Sequence, residues 1–179
     1  MWQGASHHLQ SISMTIDPTK YRQVLGHFPT GVTVITATTA EGTPVGLTIG
    51  SFTSVSLDPP LVGFLPMVNS ERWTAINATG SFVVNVLGTE QAELCWRFAK
   101  SSIEQPFEGV GWQPSPITGS PIIDGAIAWI DCAIEGVVDA GDHHFVLGRV
   151  LELEHVEADA EPNPLLFYRG QLGRFHPHG

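Results

Sequence analysis

Charge, cysteine and long apolar runs are all scarce in this sequence, and each shortage excludes a class of protein. Only 15% of the 179 residues are charged, and 18 acidic against 8 basic side chains give a net charge of −10. A phosphate backbone repels such a chain, so no nucleic acid is expected as a partner. The two cysteines, Cys95 and Cys132, are too few for a disulfide framework, which favours buried thiols and a cytoplasmic location.

Membrane spans and several catalytic motifs are missing as well. No stretch of about 18 consecutive apolar residues occurs, so no membrane partner is expected. No G-x-G-x-x-G sequence follows a predicted strand, and neither a G-x-x-x-x-G-K-[ST] phosphate loop nor a G-x-S-x-G nucleophile elbow occurs. A nicotinamide nucleotide would therefore bind without a Rossmann domain. The neighbouring His143 and His144 would point to opposite faces of a strand, so no metal site is expected.

Turn-forming residues, in contrast, are abundant. The 19 glycines and 13 prolines separate apolar, β-branched runs along most of the chain. Residues 1–13 are polar and lack the apolar core of a signal peptide, so we expect a disordered or vector-derived leader there. Residues 14–179 are expected to form a single domain.

Residue periodicity predicts short helices among many strands. Helices are predicted from Pro18 to a stop at Gly26, from 71 to 78 and from 89 to 100, with Asp17, Asn69-Ser70 and Thr89 as capping residues. Strands are predicted at 31–39, 45–57, 61–65, 81–87, 126–138, 145–156 and 165–168, with a loop at 101–124 and a hairpin turn at 139–142. Six or seven strands without regular β-α-β alternation predict a mainly β, antiparallel barrel decorated by helices.

The predicted strand 45–57 carries the most informative pattern. Its apolar face would hold Val45, Leu47, Ile49 and Val55, and its other face Gly46, Thr48, Gly50, Ser54 and Ser56. A row of glycines and hydroxyls leaves a shallow polar groove in which main-chain N–H groups can meet a flat or phosphorylated ligand. Ordinary exposed strand faces are also rich in Thr and Ser, so the pattern alone leaves both interpretations open.

Three further segments contain candidate binding residues. Ser70 and Arg72 lie at a predicted helix start, where free N–H groups favour anions. Arg72, Arg97 and Lys100 are three of only eight basic residues and are candidate partners for a ligand phosphate. In the turn 141–144, a histidine can donate a hydrogen bond or relay a proton, and an aspartate can orient it. A plain helix cap and a surface histidine without a role are the alternatives.

Six segments in series resemble the flavin reductase family of the FMN-binding split barrel, the short-chain reductases of two-component flavin monooxygenases. They are 21–36 (YRQVLGHFPTGVTVIT), 46–62 (GLTIGSFTSVSLDPPLV), 82–87 (FVVNVL), 97–100 (RFAK), 141–143 (GDH) and 164–170 (PLLFYRG). They occur in the family's order and cover almost everything from about 17 to 173, with SFTSVSLDPP as the most specific part.

The resemblance implies a homodimer of split β-barrels with short peripheral helices and a flavin, FMN or FAD, near the dimer interface. It implies NADH or NADPH as reductant, with hydride transfer from nicotinamide C4 to flavin N5. The reduced flavin would then diffuse to a partner monooxygenase. The alternatives are a flavoprotein that holds FMN tightly and acts on another small molecule, and a non-catalytic flavin-binding dimeric module.

The resemblance also implies roles for individual residues. The flavin would be lined by Thr48, Ile49, Gly50, Ser51, Phe52, Leu65, Pro66, Met67, Ser70, Phe98, Ala99 and Lys100. The family's nicotinamide contact corresponds to Gly141, Asp142 and His143, with His143 as the catalytic residue facing the nicotinamide. The sequence adds a second histidine, His144, which leaves two candidate imidazoles. Because no arginine cluster surrounds this turn, NADH is favoured over NADPH, although Arg149 follows on the next strand.

Overall fold

The computed structural model describes residues 16–155 and 163–178. The predicted leader 1–13 and the last residue of the predicted strand 145–156 lie outside the described residues. Within the described ranges the chain is mainly β, with three α-helices and twelve strands. None of the helices in these ranges is long and apolar enough to cross a membrane.

Two of the helices begin at the residues that their capping signals predict. Helix α1 (Pro18–Leu25) is capped by Asp17, whose carboxylate accepts a hydrogen bond from the Thr19 N–H. Helix α2 (Glu71–Thr79) is capped by Ser70 and ends at Gly80, which adopts a left-handed φ of 73°. Caps act within one turn of the chain, so local sequence is sufficient to place these ends.

The third helix begins later than the sequence predicts. Thr89 does not cap it but lies in a 3₁₀ turn (Thr89–Gln91), and α3 runs over Ala92–Ala99. The Gln91 side chain accepts a hydrogen bond from the Gly88 N–H and donates one to the Asp124 carbonyl. These bonds connect Gln91 to Gly88 and to the loop at Asp124. Residues 89–91 therefore form a 3₁₀ turn, and the α-helix begins after it.

The strands form three antiparallel sheets. Their bounds are β1 (Thr30–Gly31), β2 (Thr33–Thr38), β3 (Pro44–Ile49), β4 (Thr53–Leu57), β5 (Pro60–Phe64), β6 (Ser81–Val86), β7 (Trp112–Pro114), β8 (Pro121–Ile123), β9 (Ala128–Ala140), β10 (His143–His155), β11 (Leu165–Tyr168) and β12 (Gln171–Arg174). The largest sheet has the order β3-β2-β6-β9-β10-β5-β4, a second has the order β1-β11-β12, and β7 pairs with β8. The sheets do not close into one continuous barrel, and this arrangement agrees with the expected split-barrel fold.

The prediction of one continuous strand at 45–57 is wrong. The chain leaves the sheet at residues 50–52, so β3 and β4 lie at opposite edges of the seven-stranded sheet. Val55, predicted to be in the core, is exposed. Alternation of apolar and polar residues stops at residues 51–53 and resumes at Val55, so the pattern supports the two strands but not the segment between them.

Other strand predictions need smaller corrections. The predicted strand 31–39 divides at Val32, whose N–H donates to Leu165 while its carbonyl accepts from Leu87. The predicted loop 101–124 contains the pair β7 and β8, and β12 follows the strand predicted to be last. The missed strands β7, β8 and β12 have three or four residues, which is too short for a two-residue period to show.

The long hairpin is confirmed, but its turn is shorter than predicted. Strands β9 and β10 pair up to Ala140 and His143, which leaves a two-residue turn at Gly141-Asp142. Gly141 has φ 72°, the left-handed region that such turns require. His143 is therefore the first residue of β10 and does not lie within the turn.

Helices α2 and α3 cover the seven-stranded sheet and bury its two cores. Trp73 from α2 packs edge-on against Phe64, and Phe98 from α3 belongs to a second cluster with Leu165. Both cysteines are buried, as predicted, and burial raises the pKa of the Cys132 thiol to about 12. Helix α1, in contrast, buries none of its residues.

Candidate functional site

One serine holds the loop between β3 and β4 at the end of β5. Ser51 Oγ accepts a hydrogen bond from the Leu65 N–H (3.0 Å) and donates one to the Leu65 carbonyl (3.3 Å). The hydroxyl thereby pairs main-chain groups just beyond the end of β5. A Cβ on the adjacent Gly50 would lie 3.1 Å from Thr30 Oγ1, so glycine allows the loop to approach β1 closely. The predicted ligand residues Gly50, Ser51 and Phe52 are thus fixed beside Leu65.

This loop forms one wall of a cleft of about 650 Å³, a volume in the range of small-molecule sites. The cleft is lined by Leu25, Gly26, Phe28, Pro29, Thr30, Gly31, Gly50, Ser51, Phe52, Thr53 and Phe167. The wall that includes Leu25, Phe28 and Phe167 was not predicted. These residues lie in segments that resemble the flavin reductase family, but nothing along the chain shows that they meet residues 50–53.

The turn between β9 and β10 docks on the segment that follows β5. Main-chain hydrogen bonds run from His144 N to Pro66 O (2.9 Å) and from Val68 N to Asp142 O (3.1 Å), and an antiparallel bridge joins Met67 to His143. Two segments that were predicted separately, 65–67 and 141–144, therefore form one continuous surface.

His143 is half-buried and is oriented by its neighbour. Its Nδ1 lies 2.7 Å from Asp142 Oδ1. This hydrogen bond, and secondarily the charge of the imidazolium, lowers the pKa of the Asp142 carboxyl. Because the carboxylate occupies Nδ1, Nε2 is the ring nitrogen that a ligand would reach.

His144 points to the other side of the strand and contacts helix α2. Its Nδ1 accepts a hydrogen bond from Trp73 Nε1 (2.8 Å), and its Nε2 lies 3.5 Å from Asp139 Oδ1. The sequence analysis missed Trp73. The only local signal was its position three residues after the cap Ser70, whose hydroxyl accepts the Trp73 N–H.

Arg72, predicted to contact a ligand phosphate, has a structural role in the single chain, and the phosphate contact stays a prediction. Its guanidinium donates hydrogen bonds to three main-chain carbonyls, those of Phe98 (2.6 Å), Lys100 (3.0 Å) and Ile103 (2.6 Å). Burial away from water lowers the pKa of Arg72. Because carbonyls at the C-terminal end of a helix attract cations, Arg72 fastens α2 to the end of α3.

The polar face predicted around Thr48 is not an open groove. Thr48 Oγ1 donates to the Cys95 carbonyl (2.7 Å), and a Cβ on Gly46 would lie 3.0 Å from the Phe98 ring. The side chains of Ile49 and Phe98 are buried in the two cores. Thr48 and Phe98 therefore pack α3 on β3 and Ile49 belongs to the core under α2, whereas Ala99 and Lys100 are exposed at the end of α3.

The side chains at the candidate site have the chemical character that a flavin nucleotide requires. Phe28, Phe52 and Phe167 provide apolar, aromatic walls for a flat ring system. Lys100, which is exposed at the end of α3 and is not a lining residue of the cleft, is a candidate cation for a phosphate. In the part of the chain that the structure describes, no three His, Cys, Asp or Glu side chains are grouped as metal ligands would be.

Comparison with known proteins assigns the sequence to one family. The profile of the flavin reductase like domain matches residues 25–176. A curated flavin reductase of Pseudomonas putida is 48% identical over 164 residues, which are 92% of this chain and 94% of the relative.

Solved structures give the same result for the fold. Nitrilotriacetate monooxygenase component B of Mycobacterium thermoresistibile is 47% identical with a TM-score of 0.84, over 89% of this chain and 87% of that one. The NADH:FAD oxidoreductase SgcE6 of Streptomyces globisporus C-1027, solved with NAD and FAD fragments, is 37% identical with a TM-score of 0.82, over 90% and 94% of the two chains.

Proposed function

This chain belongs to the flavin reductase-like domain family, and on that premise we propose that it supplies reduced flavin to a partner monooxygenase. It is an NAD(P)H-dependent flavin oxidoreductase that reduces FMN or FAD. The observation that carries the proposal is the span of the family match, 25–176, which includes every residue of the candidate site. The structural relative named as a monooxygenase component supports an oxygenase as the consumer of the product.

In this proposal the chain's own residues bind and orient the two nucleotides. The segments 50–52 and 65–67 hold the flavin ring, and Ser70 and Lys100 face its phosphate. His143, oriented by Asp142, faces the nicotinamide through Nε2. A bound flavin would supply the acceptor for the hydride of NADH. The protein's contribution is to keep the two rings in contact and in order, for which proximity and orientation are sufficient.

NADH is the proposed reductant. The arginine nearest to the turn in sequence, Arg149, is already paired with Glu135, with Nε–Oε2 and Nη2–Oε1 distances of 2.8 and 2.6 Å. This bidentate pair engages two of the guanidinium nitrogens and offsets their charge, which disfavours Arg149 as the partner of a 2′-phosphate. The relative solved with NAD and FAD fragments is named as an NADH enzyme, which supports the same choice.

The proposed assembly is a homodimer. Leu25 and Phe28, which line the cleft of about 650 Å³, are exposed, and α1 buries none of its residues in a single chain. A second copy of the chain would cover this apolar wall beside the flavin. A cytoplasmic location, expected from two unpaired thiols, stays a prediction from the sequence.

The decisive experiment is NADH oxidation by the purified, flavin-stripped protein, followed by the loss of NADH absorbance. Three reactions are compared, with FMN, with FAD and without flavin, and the same series is repeated with NADPH. Oxidation that requires added flavin and saturates with it is the expected result, because a diffusible product requires that flavin enters and leaves. Gel filtration after incubation with flavin shows whether the flavin stays bound.

Two other outcomes would replace the proposal. A yellow protein that keeps its flavin through gel filtration and oxidises NADH without added flavin would be a flavoprotein acting on another small molecule. Flavin binding without oxidation of either nicotinamide nucleotide would identify a non-catalytic binding module.

A further inference from the structure

One buried polar atom on helix α2 connects the candidate site to the protein core. Trp73 is 1% exposed and packs edge-on against Phe64, so its indole N–H is shielded from water. The N–H donates to His144 Nδ1 at 2.8 Å. A buried donor without an acceptor is costly, so this bond constrains both side chains.

The bond also determines which ring nitrogen of His144 carries a proton. An indole N–H only donates, so Nδ1 must be the unprotonated acceptor, and the proton of the neutral ring lies on Nε2. On that side Nε2 faces Asp139 Oδ1 at 3.5 Å. Both ring nitrogens of His144 thus face protein groups. In His143, Asp142 contacts Nδ1, so Nε2 is the nitrogen that can face a ligand.

The position of His144 in the chain gives the bond its consequence. His144 directly follows His143 on β10, and successive side chains of a strand point to opposite faces. Its main-chain N–H also donates to the Pro66 carbonyl at 2.9 Å. The His144 ring is held by Trp73 on one face of β10. We therefore expect this bond to set the direction in which the His143 side chain projects from the opposite face.

We infer that His144 is a positioning residue, which does not touch the nicotinamide but holds His143 toward it through the hydrogen bond to Trp73. The inference rests on the proposed function, since it takes His143 as the nicotinamide-facing residue. It assigns different roles to the two neighbouring imidazoles, whose roles the sequence leaves open.

Three substitutions test the inference. His144→Ala removes the acceptor, Trp73→Phe removes only the donor, and His144→Asn places an amide oxygen where Nδ1 was. His155→Ala, at the far end of the same strand, is the matched control. Losing one neutral hydrogen bond should raise the KM for NADH about fivefold in His144→Ala and in Trp73→Phe. The kcat and the flavin Kd should not change in these two variants. His144→Asn should restore the wild-type KM, and His155→Ala should keep it.

Nuclear magnetic resonance provides a readout that needs no turnover. The indole N–H signal of Trp73, identified by its absence in Trp73→Phe, should shift in His144→Ala and return in His144→Asn. The Cε1–H signal of His143 should move in the same variants, because its ring loses a fixed direction. A KM increase with an unmoved His143 signal would overturn the inference, and so would an equal weakening of flavin binding or no rescue by His144→Asn.

The two proposals fail in different ways. If the wild-type protein does not oxidise NADH with any flavin, the proposed function fails, and the two resonance signals still decide whether His144 positions His143. If the wild type is active but His144→Ala and Trp73→Phe keep the wild-type KM, the function stands and the inference is wrong.

Discussion

Two buried polar side chains in this protein join main-chain groups of segments that are far apart along the chain. Asn85 is fully buried, donates to the Val34 and Pro121 carbonyls and accepts from the Ile123 N–H. Asp131 is equally buried and accepts hydrogen bonds from two N–H groups and one hydroxyl of residues 117–118. Buried polar groups need such partners, so Asn85 fastens β8 to the seven-stranded sheet and Asp131 fastens residues 117–118 to β9.

The role of His143 leads to a prediction for one residue. His143→Ala should raise the KM for NADH about fivefold or more, because it removes the polar group proposed to face the nicotinamide. Flavin affinity, measured by quenching of flavin fluorescence, should not change, since the segments 50–52 and 65–67 are left intact. His155→Ala serves again as the control. If His143→Ala abolished flavin binding, the turn would be part of the flavin site or of the fold.

At the scale of elements, α2 and α3 are fastened by one cation that bridges their ends. The three carbonyls bound by Arg72 come from the last turn of α3 and the segment that follows it. Arg149, in contrast, forms an exposed pair with Glu135 across β9 and β10. Removing Arg72 would leave its three carbonyls without a side-chain donor among the described residues, whereas removing Arg149 would leave Glu135 free to contact water.

Arg72→Ala should therefore destabilise the protein far more than Arg149→Ala does. Hydrogen bonds to a charged group contribute about 1.5–3 kcal/mol, so a loss of roughly 2–3 kcal/mol in the free energy of unfolding is expected for Arg72→Ala. An exposed ion pair contributes about 1 kcal/mol or less, which sets the expectation for Arg149→Ala. Urea unfolding followed by circular dichroism measures both. Equal losses would show that Arg72 does not fasten the two helices.

How much of the fold the sequence predicts depends on how local each signal is. The starts of α1 and α2 follow from Asp17 and Ser70, whose hydrogen bonds lie within one helical turn. The loss of alternation at residues 51–53 marks the break, but its geometry depends on Ser51 pairing with Leu65, fourteen residues away, which no local pattern contains. The same limit applies to β7 and β8, which are too short to show a period.

At the scale of the molecule, the candidate site was predicted in parts but not in its full extent. The resemblance placed Gly50–Phe52 and the turn 141–144 in one site, because their order along the chain is typical of the family. It gave no indication that Leu25, Phe28 and Phe167 form the facing wall, since that contact depends on how α1 and β11 pack. The count of basic residues, which made Arg72 a candidate for the ligand phosphate, also gave no indication that its guanidinium binds three carbonyls.

The facing wall leads to the last prediction, which concerns assembly. Phe28 is 75% exposed and Leu25 is 52% exposed in a single chain. A second cleft of about 420 Å³, lined in part by Leu166, Tyr168 and Leu172, shares Pro29 with the first. Large apolar side chains grouped at two adjoining clefts are typical of an interface between copies of a chain.

We expect the wild-type protein to sediment at twice its chain mass of 19.3 kDa in analytical ultracentrifugation. Leu25→Glu with Phe28→Asp should give a folded monomer, because charge in the centre of an apolar interface costs several kcal/mol of association energy, on the order of a hot-spot loss. Flavin binding should weaken in the monomer, since the cleft loses the second copy that covers it. Ile117→Glu, an equally exposed apolar residue outside both clefts, should remain dimeric. A monomeric wild type that binds flavin with full affinity would show that one chain holds the complete site, and the exposed wall would then need another occupant.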